Sequence, residues 1–86
     1  MKQSIYEVII QNYETSYVSV ELFKSLKNAR DFMYKDWLGC LDKKTEEYFP
    51  KTRKNVTGFE MNGCGFKENS AWTDYIYWEI VRKELN

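Results

Sequence analysis

Glu46 and Glu47, Cys40 and Cys64, and the basic residues Lys43, Lys44, Lys51, Arg53 and Lys54 are where reactive or charged chemistry could gather in this 86-residue chain. Two carboxylates at the right separation can share acid and base roles. Glu46 and Glu47 are adjacent, however, and neighbouring positions on a helix point about 100° apart, so they do not converge on one substrate atom. Glu60, Asp74 and Glu79 are spread over segments that read as strands. Histidine is absent, which removes the commonest acid/base group near neutral pH and every Ser-His or Cys-His nucleophile pair. Cys40 and Cys64 are too far apart for a CxxC pair and, without histidine, make no metal-ligand set. The stretch Gly63-Cys64-Gly65 lacks the Lys-Ser/Thr of a phosphate loop and the spacing of a dinucleotide fingerprint, so it reads as a turn. The expectation is a protein that is not an enzyme and holds no metal or cofactor.

Binding chemistry is better represented. The chain has seven Tyr and three Trp, residue types that bury a large contact area at a small cost in side-chain entropy. Three large aromatics and three β-branched residues fill Tyr75 to Val81. Tyr75, Tyr77, Tyr34 and Tyr13, with Glu79, are the expected partner-contacting residues, while Trp37 and Trp78 are expected in the core. A second reading uses the basic residues. Lys43, Lys44, Lys51, Arg53 and Lys54 place five positive charges in twelve residues and could contact phosphate, with sheet aromatics stacking single-stranded bases. Thirteen basic side chains against thirteen acidic ones leave no net field for such a ligand,. Glu79 among the tyrosines counts against it too.

These side chains need elements to position them. Ser4 to Asn12 and Tyr17 to Phe23 alternate at period two, with Tyr6, Val8 and Ile10 on one face and Ile5 and Ile9 on the other, so the first strand should be covered on both sides. Val18, Val20 and Leu22 likewise share one face of the second strand. The polar link Tyr13 to Ser16 suits a hairpin. Ser25 caps a predicted helix over Leu26 to Leu38, whose stripe is Leu26, Ala29, Met33 and Trp37 with Phe32 at its edge. Its other face, Lys27, Arg30, Asp31, Tyr34 and Lys35, reads as solvated, and Gly39 as a left-handed stop. Leu41 to Phe49 predicts a short second helix ended by Pro50. Asn62-Gly63 predicts a hairpin turn between Phe59-Met61 and Cys64-Phe66. Tyr75 to Lys83 predicts a final strand on residue type, with Ile76, Trp78 and Ile80 toward the helix and Tyr75, Tyr77, Glu79 and Val81 on the other face.

The outline is a small α+β fold, ββα(α)βββ, with the main helix packed on one sheet face and a single domain over residues 1–86. No apolar run approaches the ~20 residues that span a bilayer, and the N-terminus does not resemble a signal peptide. A cytoplasmic protein without a membrane partner is therefore expected, and the sequon Asn55-Val56-Thr57 reads as accidental. Ten Lys against three Arg, with few Ala, Gly and Pro, points to AT-rich coding. Together these features lead to the expectation of a small module that binds a larger protein, such as a phage or mobile-element inhibitor of a host defence enzyme. The aromatic run Tyr75 to Val81 is expected first as a strand at the centre of the sheet; left at a sheet edge instead, it would invite a homodimer with its own copy.

Overall fold

The structure is a computed structural model that describes residues 3–53, 58–61 and 63–85. Six antiparallel strands form one sheet in the order β2-β1-β6-β5-β4-β3. β1 (Gln3–Asn12) and β6 (Ile76–Leu85) run side by side over ten residues at its centre. β2 (Tyr17–Phe23) lies outside β1, and the short strands β5 (Ser70–Trp72), β4 (Cys64–Phe66) and β3 (Phe59–Met61) extend the sheet beyond β6. The first hairpin is local. Asn12 turns its side-chain oxygen back to accept from the amides of Glu14 and Thr15 at 3.0 and 3.2 Å, which lets the chain reverse within four residues.

α1 (Leu26–Gly39) begins where the Ser25 hydroxyl accepts from the amide of Asn28 at 3.1 Å. It lies on one side of the sheet, over β1, β6 and β5, and touches β2. Ala29, Met33, Trp37 and Leu38 face Val8, Ala71, Trp78, Ile80 and Phe66 across the interface, and all are buried. Each such aliphatic side chain taken fully from water contributes about 1.5–3 kcal/mol. Both buried indoles keep a hydrogen bond. Trp37 Nε1 donates to the carbonyl oxygen of Trp72 at 2.9 Å and Trp78 Nε1 to Asp36 Oδ2 at 2.8 Å. The core therefore leaves no buried side-chain nitrogen or oxygen unpartnered among the described residues, as burial of polar atoms requires.

Several expectations need correction. The final sheet contains an extra strand, β5, which the polar stretch around Ser70 hid because it is only three residues long. β6 is a central strand between β1 and β5, as the first reading of the aromatic run expects, so the alternative of an edge-strand dimer through it falls away. Gly39 is the last helical residue and does not adopt the left-handed conformation. The helix instead tightens, with the amides of Cys40 and Leu41 donating to the carbonyls of Trp37 and Leu38. α2 (Lys43–Glu46) is shorter than the predicted helix, since Asp42 caps it and the amides of Tyr48 and Phe49 close three-residue turns ahead of Pro50. Tyr34 belongs to the core rather than to the solvated face of α1. It is 2 % exposed because it sits beside Met33 on the helix surface and meets the edge of Phe66. Lys54, the sequon Asn55-Val56-Thr57 and Asn62 lie outside the described residues. Gly63, the other half of the predicted turn, has φ +82°.

No helix among the described residues is long and apolar enough to cross a membrane. Across its thinnest direction the molecule measures 15 Å, against 46 and 32 Å in the other two. That depth accommodates one sheet and one helical layer, which sit about 10 Å apart. Among the described residues nothing covers the second face of the sheet.

Candidate functional site

Cross-strand registers order the open face into rows. Opposite residues in an antiparallel pair share a face, and the helix side is fixed by buried Val8, Trp78 and Ala71. One row on the other side therefore runs Val18, Gln11, Tyr77, Trp72, Gly65, Glu60. The next runs Val20, Ile9, Glu79, Ser70, and the one after it Leu22, Glu7, Val81. Ile5 faces Lys83 beyond them. The result is an apolar surface, broken by a few charges, that crosses four strands. Val18, Val20 and Leu22 are 56 %, 48 % and 62 % exposed, whereas Ile5, Ile9, Tyr77, Val81 and Trp72 are half-buried. Apolar side chains gathered on one uncovered face in this way mark interaction surfaces.

Local geometry sets the shape of this face. The indole of Trp72 lies against Gly65, where a Cβ would come within 2.6 Å of Trp72 Cζ2 and 2.5 Å of the Phe59 carbonyl oxygen. Glycine is therefore the residue that lets the ring come this close to the backbone. Lys67 Nζ stands 5.9 Å from the same ring. Glu7 and Lys83 form an ion pair at 2.8 Å, with the Glu7 side chain only 14 % exposed. Glu79 is exposed in the middle of the face, so a bound surface would meet an apolar field with an acidic centre.

The expected contact residues divide between locations. Tyr77 and Glu79 are on the open face. Tyr75 occupies the tip of the tight β5–β6 turn, where the amides of Tyr75 and Ile76 lie near Thr73 Oγ1. Its carbonyl accepts from the amide of Tyr13 at 2.7 Å, so both tyrosines stand exposed at one end of the sheet, and the Tyr13 hydroxyl donates to Gln11 Oε1. Tyr34 is on the opposite side, its hydroxyl donating to the Pro50 carbonyl at 2.7 Å. Burial raises its pKa, offset in part by the nearby charge of Arg53. It is a core residue and offers a partner no contact surface.

The basic residues do not converge either. Lys43 and Lys51 line a shallow hollow with Glu46 and Glu47, where the charges offset one another. Arg53 lies over the ring of Phe66 at 5.5 Å. It donates to the Glu68 carbonyl, which also accepts from Arg30. Burial, and then the charge of Arg30, lower its pKa, opposed by Glu68, Asp31 and Tyr34. Phe66 and Phe49, which packs edge-on against Trp37 at 5.0 Å, hold this segment on the helix side. Arg53 and the sheet aromatics Tyr77 and Trp72 therefore occupy opposite sides of the molecule.

Sequence reasoning missed Val18, Val20, Leu22, Ile5, Ile9 and Trp72 as surface residues. Their alternation was visible, but an alternating strand does not say which face meets the helix. The chemistry of the remaining groups is modest. Among the described residues no three Cys, Asp or Glu side chains gather as metal ligands do, and burial raises the thiol pKa of both Cys40 and Cys64, the reverse of an activated nucleophile. No protein-family model matches the chain, and neither a curated protein nor a solved structure resembles it significantly.

Proposed function

We propose that this chain is a cytoplasmic protein-binding module that docks through the open face of its sheet and acts by occluding a surface on a larger protein. The observation that carries this reading is the apolar surface running from Val18, Val20 and Leu22 through Ile9 to Val81, Tyr77 and Trp72, with no layer over it among the described residues. Uncovered area of this kind is costly in water, and covering it supplies the favourable term for association. Tyr77 and Trp72 are the anchor types such contacts favour. Glu79 selects a partner with a basic group near the centre of its apolar patch, and charges of this sort steer association more than they strengthen it. Inhibition of a host enzyme by a phage or mobile-element protein would suit the size and AT-rich coding of the chain.

Single-stranded nucleic acid is the less favoured ligand, because the basic segment at Lys51 and Arg53 is on the side away from the aromatics that would stack bases. The test is affinity capture from a low-GC bacterial lysate with three matched baits, the wild type, Val81→Lys and Lys51→Glu, each with and without nuclease. The reading expects a stoichiometric protein that survives nuclease, is retained by Lys51→Glu and is lost from Val81→Lys. Loss on nuclease treatment, or loss from Lys51→Glu alone, would overturn it.

A further inference from the structure

We propose that the chain pairs with a second copy of itself along β2, antiparallel, about a two-fold axis at Val20, joining two six-stranded sheets into one. β2 is an edge strand of seven residues, Tyr17–Phe23, with β1 on one side only. Natural edge strands are kept from pairing by lysine, proline, a bulge, shortness or a charge turned toward the covered face. β2 has only the last of these, Glu21 on the helix side. It contains no Lys, Arg or Pro, its one charge is Glu21, and its seven residues pair with Tyr6 to Asn12 of β1 without a skipped position. The opposite edge, β3, is by contrast three residues long and carries Glu60. β2 is also thinly covered on both faces. Val18, Val20 and Leu22 are exposed on the open side, and Tyr17 and Glu21 on the helix side.

The sequence of β2 is self-complementary in one register. A two-fold axis perpendicular to the sheet keeps both helices on one side and places some residue opposite its own copy. With Val20 in that position, Val18 faces Leu22, Ser19 faces Glu21 and Tyr17 faces Phe23. Apolar side chains meet on the open face, and on the helix side a hydroxyl meets a carboxylate and two aromatics meet. Moving the axis to Glu21 sets two carboxylates directly opposite each other, which is destabilising. Moving it to Ser19 leaves Leu22 and Phe23 unpaired. The pairing goes beyond the docking reading and does not depend on it, because the open face stays uncovered and becomes continuous across both copies.

The experiment is disulfide trapping combined with sedimentation. In a Cys40→Ser background, Val20→Cys should oxidise to a covalent dimer, since opposed Cα atoms about 4.5–5.5 Å apart suit a disulfide. Val18→Cys should not cross-link, because its copy lies four residues away along the strand, roughly 14 Å. By sedimentation, Ser19→Glu should weaken the wild-type dimer about tenfold by opposing Glu21 twice, and Ser19→Glu with Glu21→Lys should restore it. Equal trapping at both cysteines, or a wild type that remains monomeric at about 100 μM, would overturn the pairing. If face-dependent capture by wild type and Val81→Lys persisted in that case, the docking reading would stand without it.

Discussion

Tyr77 stands directly across from Trp72 in the β5–β6 ladder on the uncovered side of the sheet, while the next residue, Trp78, is fully buried beneath α1. Strand alternation puts neighbours on opposite faces, so two adjacent aromatics serve different ends. One anchors the helix to the sheet, and the other faces outward over the apolar field.

The inner contact gives a first prediction. Asp36→Ala removes the acceptor of the Trp78 indole and leaves a buried N–H unpaired, which should cost about 1–3 kcal/mol. Asp36→Asn keeps an acceptor oxygen and should cost less. Urea midpoints of the two variants at matched slopes check this, and equal losses would show that the carboxylate charge, rather than the hydrogen bond, holds α1 in place.

Gly65 gives a second. A methyl group there meets both the Phe59 carbonyl oxygen and the Trp72 ring, so Gly65→Ala should lift the indole from the sheet and cost about 1–3 kcal/mol as an overpacked site. The variant should show a lower melting temperature and altered tryptophan emission. An unchanged spectrum and melting temperature would contradict the close seating of Trp72 on Gly65.

Acidification gives a third. The Asp42 carboxylate accepts from the amide and hydroxyl of Thr45 at 2.9 and 3.0 Å, and these hydrogen bonds, the amide first, hold its pKa below the ordinary carboxylate value. A lowered pKa means that the folded state binds this proton less readily than the unfolded one. The cap's contribution is thus complete above the unfolded carboxylate pKa of about 3.9 and is lost as pH falls through the lower folded value. The Thr45 amide resonance should move toward its random-coil position below that range, and in Asp42→Asn it should no longer follow pH there.

Much of the fold was legible because local rules and packing agree. Ser25 capped a helix whose apolar stripe faced inward, and Trp78 and Ile80 alternated with the outward side chains Tyr77 and Glu79. The extra strand was hidden because Ser70–Trp72 is too short and polar to show a period. Tyr34 was misread because its burial comes from the rim of Phe66 and the carbonyl of Pro50, both distant in sequence. The open face was only half legible. The β6 residues Tyr77, Glu79 and Val81 carried the right alternation, but Val18, Val20 and Leu22 give the same pattern whether they face a helix or water. Only the β1–β2 register, with Val18 beside Gln11 and Tyr17 beside Asn12, sets them on the far side from α1. The basic residues were gathered by sequence distance, and packing of Phe49 and Phe66 on the helix side parted them from the sheet aromatics.

The most direct measurement compares Tyr77→Ala and Trp78→Ala side by side for partner capture and for thermal unfolding. The account predicts that Tyr77→Ala loses the partner while melting close to the wild type, and that Trp78→Ala costs about 3–5 kcal/mol of stability as a buried truncation. Full partner binding by a folded Tyr77→Ala chain, or a stability loss there equal to that of Trp78→Ala, would contradict the claim that this sheet face is a docking surface.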